Sequence, residues 1–168
     1  MDIVSSTIED FPIIAEIHNR ANCIYYSIYS TTELKNLHDL IETTESIAET
    51  AKSKFILCAK GIDNVTTGYI IFRIKNKSVI WISSLFVDPI DQKKGVGSLL
   101  LKAVEDFAKK SHINVVALET HKGAFWAVNF YKKNDYKLIN DKLSTFPFDS
   151  VLDKPPVKNR PLFGKIIS

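Results

Sequence analysis

Residues 87 to 98 read Val-Asp-Pro-Ile-Asp-Gln-Lys-Lys-Gly-Val-Gly-Ser, a strand exit followed by a basic, glycine-bearing turn that opens into a long amphipathic helix. Past Gly95 the apolar residues Val96, Leu99, Leu100, Ala103, Val104, Phe107 and Ala108 repeat at the spacing of one helix face. Lys102, Glu105, Asp106, Lys109 and Lys110 fall on the other side. The helix therefore starts at the glycines. Its first N–H groups have no intrahelical acceptor and its macrodipole makes that end positive, so main chain alone can hold a phosphate there. Gly95 and Gly97 carry no Cβ to obstruct the approach. A P-loop would need a lysine after Gly97, and a dinucleotide turn would need a glycine where Leu100 stands, so both are excluded. A glycine turn that merely starts a helix would look the same in isolation, and the flanking residues bear on that choice.

The turn Gln92-Lys93-Lys94-Gly95-Val96-Gly97 resembles the Gln/Arg-x-x-Gly-x-Gly/Ala signature of the GNAT superfamily, the acetyl-CoA-dependent N-acetyltransferases. Leu85-Phe86-Val87-Asp88-Pro89 is similar to that family's lead-in strand. Ala127-Val128-Asn129-Phe130-Tyr131, followed by Asn134-Asp135-Tyr136, resembles its later helix and strand, in the family's order and at its separation. The resemblance extends over most of the chain. It implies acetyl-CoA as co-substrate and no metal. Cofactor contacts are implied at Leu85, Phe86 and Val87 on the lead-in strand, through the turn from Gln92, Lys93 and Lys94 to Gly95, Val96, Gly97 and Ser98, and at Ala127 and Lys133 on the later helix. It also implies that the Leu85–Val87 strand bulges and splays from the strand ending at Glu119. The pantetheine arm would then pair with the exposed edge as a pseudo-strand, and the Val87 N–H would polarise the thioester carbonyl.

Direct attack of an amine on a thioester in a ternary complex sets three requirements: a neutral amine, a held oxyanion and a proton for the leaving thiolate. Tyr131 stands where the family commonly carries the general acid; the alternative is a tyrosine packed on the sheet. Glu119 matches the place where some relatives put a general base, and the alternative is a solvated strand-end carboxylate. His121 is the reserve base, with a near-neutral intrinsic pKa, and the alternative is an ordinary loop residue. His18, His38 and His112 occur singly, without metal-ligand spacing, and are assigned no chemistry. In relatives the loop holding Tyr25, Tyr26 and Tyr29 walls the acceptor groove, and Trp126 and the connection over 141–160 are candidates for further walls; aromatic walls suit small amines and peptide amines alike, and the alternative is tyrosines packed between helices.

Three positions depart from the family pattern. Ala124 replaces an asparagine that contacts the cofactor in many relatives. Asp135 replaces the usual glycine, so Asn134 or Asp135 must end the helix in left-handed backbone. Ser83 stands where some relatives carry an acidic residue, which keeps a second reading open: a non-catalytic acyl-CoA-binding or regulatory module of the same fold.

These residues need a framework. Ile3-Val4 predicts a short first strand, and Ser6-x-x-Glu9 reads as a capping box before a helix using Ile13, Ile14, Ile17 and Ala21. An aromatic loop over 24–30 follows, then a helix capped at Thr31 or Thr32 with Leu34, Leu37, Ile41 and Ala48 on one face. Runs at 55–59, 68–74 and 78–82, separated by turns at 61–64 and 76–78, predict an antiparallel meander. Past the glycine-turn helix come a strand at 113–118, a helix at 123–133 and a strand at 136–139. That alternation implies at least one parallel pairing. A proline-bearing connection over 141–160 precedes a last strand at 161–167. The expected class is α/β (α+β): a mixed, mainly antiparallel sheet of about six or seven strands flanked by about four helices, splayed between the fourth and fifth strands.

The 168 residues, 45% hydrophobic and 24% charged, suit one well-buried core, so a single domain over 1–168 is expected. Lys and Arg exceed Asp and Glu by 22 to 19, with no arginine-rich or aromatic-interleaved basic patch, which gives nucleic acid little support as a partner. A cytoplasmic protein is expected, with no membrane partner, because the start lacks a basic n-region and no run of about 18 apolar residues exists. Cys23 and Cys58 read as buried free thiols. The expected partners are acetyl-CoA and an amine acceptor, in a monomer or homodimer.

Overall fold

The computed structural model describes residues 1–28, 41–75, 77–139 and 160–168, with the side chain of Tyr26 excepted. Seven strands run in the order β1-β2-β3-β4-β5-β7-β6 through one sheet. They are β1 (Asp2–Ser5), β2 (Phe55–Lys60), β3 (Thr66–Lys75), β4 (Val79–Val87), β5 (Val115–Glu119), β6 (Lys137–Ile139) and β7 (Leu162–Ile166). The α-helices among the described residues are α1 (Phe11–Asn22), α2 (Thr44–Ala51), α3 (Val96–Lys110) and α4 (Phe125–Lys133). Pairing is antiparallel for β1 with β2, β2 with β3, β5 with β7 and β6 with β7. It is parallel for β4 with β5, the step that requires a crossover, which α3 supplies. The mixed, mainly antiparallel sheet with flanking helices is thus the architecture present. Pairing of β4 with β5 covers Val79–Ile82 against Val115–Leu118, and β4 continues to Val87.

The chain packs as two compact units, Met1–Phe72 with Ser84–Ala103 and Arg73–Ser83 with Val104–Ser168, and β3, β4 and α3 contribute to both. In the first unit α1 and α2 bury Phe11, Ile14, Ile17 and Ile47 against Ile56, Cys58, Tyr69 and Ile71 of β2 and β3. The start of α1 is pinned by a buried polar cluster. Asp10 accepts from the Thr7 N–H at 2.9 Å, from the Thr66 hydroxyl at 3.0 Å and from the Lys60 ammonium. In the second unit Val79, Val115 and Ala117 form a small core with Trp81 and Ile139. Glu105 on α3, 8% exposed, accepts from Lys165 of β7 at 3.0 and 3.1 Å.

Several expectations shift in detail. The capping box forms one residue later than Ser6-x-x-Glu9, between Thr7 and Asp10, because a 3₁₀ turn at Ile8–Asp10 precedes α1. The aromatic loop begins as a 3₁₀ extension of α1 at Cys23–Ser27. A helix continuous through Ile41 is not formed: residues 41–43 are non-helical, Ile41 is exposed, and α2 starts afresh where Thr43 accepts from the Ser46 N–H. Tyr29, the positions Thr31, Thr32, Leu34 and Leu37, and the connection over 141–159 lie outside the described residues. Cys58 is buried, and desolvation pushes its thiol up to about 12, but Cys23 is exposed. On α3 Leu99 is exposed whereas Leu101 and Glu105 are buried, because that helix has neighbours on more than one side and Lys165 neutralises the carboxylate.

Candidate active site

In the first unit the end of β4 and the start of α3 form one continuous turn. The Asp88 N–H donates to the Thr67 carbonyl of β3 at 2.9 Å. Successive residues of a strand direct their polar groups to opposite edges, so Val87 presents its N–H and C=O away from β3, beyond the last pair with β5 at Ile82. Gln92 folds back to the same edge and donates from Nε2 to the Val87 carbonyl at 3.3 Å. Asp88 also holds the corner with its side chain. Oδ1 accepts from the Ile90 N–H at 3.2 Å, and Oδ2 accepts from Arg20 Nη2 of α1 at 2.6 Å.

The turn then runs through Lys93 at φ 62° and Gly95 at φ 89° before α3 begins. An ideal Cβ on Gly95 would meet nothing within 4 Å, so the glycine is required there by its backbone conformation and the space beside it is open. The first intrahelical bond of α3 runs from the Leu99 N–H to the Gly95 carbonyl at 3.1 Å. The helix therefore offers no acceptor to the N–H groups of Val96, Gly97 and Ser98, which concentrate positive potential at its mouth. Lys94 pairs with Asp91 across the turn at 2.9 Å. This geometry fits a phosphate held by main chain beside a strand edge that faces away from β3.

Gly68 is a contributor that the sequence reading missed. A Cβ at Gly68 would lie 3.0 Å from the Phe86 carbonyl oxygen, 3.2 Å from Val96 Cγ1 and 3.3 Å from Val87 Cα. Its absence lets β3 approach the main chain that carries the Val87 edge. A glycine within the β-rich run Thr66-Thr67-Gly68-Tyr69-Ile70 was the available signal. Phe86 faces an aromatic group: ring centroids lie 4.6 Å away at His18, 6.0 Å at Tyr69 and 6.4 Å at Tyr25. The partners of Phe86 and Asp88 on α1 had no sequence signal, because they are joined only across long stretches of chain.

The second unit holds the other expected residues. Tyr131 lies on α4 and is 8% exposed, its ring packed by Phe130, Tyr136 and Phe163 at centroid distances of 5.2, 6.1 and 5.9 Å. The α4 C-terminus closes with Asp135 at φ 66°, the Asp135 N–H on the Lys132 carbonyl and the Tyr136 N–H on the Tyr131 carbonyl. Of the two residues that could have taken the left-handed position in place of glycine, Asp135 does so, and Tyr136 packs back on Tyr131 as such a cap favours. Glu119 ends β5 opposite Leu162 and is half-buried. Burial raises its carboxyl pKa above the usual range, against the opposing pull of Arg160 and Lys75.

His121 is buried, and its Nδ1 accepts from the Gly123 N–H at 3.1 Å in the turn before α4. Ala124 is fully buried at the α4 N-terminus and has no side-chain cap to offer. Ala127 is buried, Lys133 is exposed in the last turn, and Trp126 is 40% exposed beside the exposed Phe125. Tyr25 is partly buried next to Phe86, while Tyr26 has only its main chain among the described parts. Among the described residues no group of three or more His, Cys, Asp or Glu is arranged to hold a metal ion.

The structure is a mixed sheet whose fourth strand runs past its last β5 pair straight into a glycine turn at a helix N-terminus. This chain belongs to the GNAT acetyltransferase family, whose model matches residues 14–136. No curated protein matches its sequence significantly. Solved structures share the fold at low identity. The PaiA N-acetyltransferase of Thermoplasma acidophilum, in complex with coenzyme A, is 20% identical with a TM-score of 0.75, and the match covers 99% of each chain. A GNAT-family acetyltransferase of Staphylococcus aureus is 19% identical with a TM-score of 0.74, again over 99% of each chain. One from Elizabethkingia anophelis with acetyl-CoA bound is 18% identical with a TM-score of 0.65, over 98% of this chain and 97% of the other.

Proposed function

We propose that this chain is a single-domain cytoplasmic N-acetyltransferase that moves an acetyl group from acetyl-CoA to a primary amine by direct attack in a ternary complex. The observation that carries the reading is the β4 end. Asp88 is fixed to Thr67, Val87 is thereby turned to the edge beyond the last β5 pair, and the chain passes at once into the open glycine turn of α3. The N–H groups of Val96, Gly97 and Ser98 would hold the pyrophosphate, and the Val87 N–H would polarise the thioester carbonyl. Gln92, Lys93, Lys94, Ala127 and Lys133 would add contacts along the cofactor.

Glu119 takes the amine proton in this scheme. Its raised carboxyl pKa brings it closer to neutrality and makes it a better match for that transfer than an ordinary surface glutamate, while the Gly123 N–H occupies Nδ1 of His121, the reserve base. Tyr131 gives its phenol proton to the departing thiolate. Tyr25, Tyr26, Tyr29 and Trp126 would form aromatic walls for the acceptor, and such walls suit small amines and peptide amines alike. The protein acts as a monomer or homodimer.

The test is CoA release from acetyl-CoA across a panel of polyamines, amino acids, peptide N-termini and lysine peptides. Turnover with at least one amine is expected. Tight acetyl-CoA binding without turnover on any of them would replace this reading by the non-catalytic acyl-CoA-binding module.

A further inference from the structure

His18 and Tyr69 have no part in the scheme above, yet the first unit buries them together, 9% and 0% exposed, with His18 Nδ1 and the Tyr69 hydroxyl 2.7 Å apart. Both rings lie against Phe86, His18 at 4.6 Å with a 54° tilt and Tyr69 at 6.0 Å with a 31° tilt. Phe86 belongs to the part of β4 that has passed its last β5 pair. A strand with one sheet neighbour instead of two depends on side-chain anchors for its position. Here β3 supplies both kinds of restraint: Gly68 admits the main chain of Phe86 and Val87, and Tyr69, the next residue, packs on the Phe86 ring.

We propose that the His18–Tyr69 pair is a positioning device for acetyl transfer, fixing the Phe86 ring and with it the Val87 N–H. The proposal rests on the reading that this N–H meets the thioester carbonyl. A bonded pair buried in an apolar wall cannot swing away without stranding two polar groups, so it holds its rings in one arrangement. Burial keeps the Tyr69 hydroxyl pKa well above that of an ordinary phenol, with Glu42 and Cys58 acting in the same direction, so the hydroxyl stays protonated. The consequence is geometric. A reacting group displaced by about 1 Å can lose on the order of 10²-fold in rate without any loss of ligand affinity.

Tyr69→Phe tests this by removing the hydroxyl and keeping the ring, and His18→Asn tests it from the other side by keeping a polar atom near the Nδ1 position. For each, kcat, acetyl-CoA affinity by calorimetry and the Val87 amide resonance with CoA and with acetyl-CoA are measured. Tyr69→Phe is expected to lower kcat roughly tenfold, leave acetyl-CoA affinity within about twofold and shrink the acetyl-dependent displacement of the Val87 resonance. His18→Asn should retain more kcat than His18→Ala. A parent Val87 resonance that does not distinguish acetyl-CoA from CoA overturns the Val87 assignment, and this inference with it. A parental displacement that survives unchanged in Tyr69→Phe, with parental kcat, overturns the positioning role alone.

Discussion

At the scale of single residues, Tyr131 and Glu119 are separated by their expected responses to substitution. Tyr131→Phe keeps the ring that packs on Phe130, Tyr136 and Phe163 and removes only the proton donor. Its kcat should fall about 10²- to 10⁴-fold in single-turnover measurements, with acetyl-CoA affinity unchanged by calorimetry. Full kcat where chemistry limits turnover would remove Tyr131 from the scheme. Glu119→Gln should be most damaging near neutral pH, where the acceptor is an ammonium ion. The loss should recede as pH rises and solvent deprotonates the amine. The same fractional loss at every pH would reassign Glu119 to acceptor binding or structure. Gly68→Ala probes a different kind of residue, one that acts by lacking atoms. Its new Cβ would stand 3.0 Å from the Phe86 oxygen and 3.3 Å from Val87 Cα, both backbone atoms that cannot swing aside. A cost of about 1–3 kcal/mol in thermal unfolding is expected, together with weakened acetyl-CoA binding, because β4 must give way.

At the scale of elements, the entry to α1 depends on charges that only the fold brings together. Burial alone would raise the Asp10 carboxyl pKa, but hydrogen bonds from Lys60, the Thr7 N–H and Thr66 outweigh it, and the net shift is downward. A depressed folded-state pKa contributes stability that is complete above the unfolded value, about 4, and lost as pH falls through the folded one. Lys60→Met leaves that carboxylate without its cation and should cost about 3 kcal/mol at pH 7 in urea unfolding. The gap to the parent should narrow as acid neutralises Asp10. A gap that stays constant down to about pH 3 would mean that Lys60 acts through the packing of its aliphatic stem. The end of α4 shows a local rule surviving a change of residue: Asp135 adopts φ 66° where relatives use glycine, and the Tyr131–Tyr136 contact closes behind it.

At the scale of the whole molecule, a ligand that binds only the native state stabilises it by RT ln(1 + [L]/Kd), about 2.7 kcal/mol at a hundredfold excess over Kd. Acetyl-CoA and CoA should both raise the melting temperature, and NAD and ATP should raise it far less. An equal response to ATP would redirect the function towards nucleotide chemistry. No helix among the described residues is long and apolar enough to cross a membrane.

The elements that carry periodicity were legible from composition and spacing. The strand runs, the long α3 and its glycine start, and the need for at least one parallel pairing follow from patterns spanning a few residues, as does the resemblance that named the family. Local signals are written in neighbours along the chain, which is why they survive without coordinates. What could not be read locally is who stands opposite whom. Glu105 looked like a solvated helix residue until β7 brought Lys165 to it, 60 positions away. Arg20 meets Asp88 across 68 positions and His18 meets Tyr69 across 51, and neither partner marks the other in sequence. The glycine turn opening into α3 could be recognised because a turn and a helix start are contiguous. The wall that holds Phe86, and the edge on which Val87 presents its N–H, exist only once strands distant in sequence pair, since burial, register and hydrogen-bond partnership are properties of the packed chain.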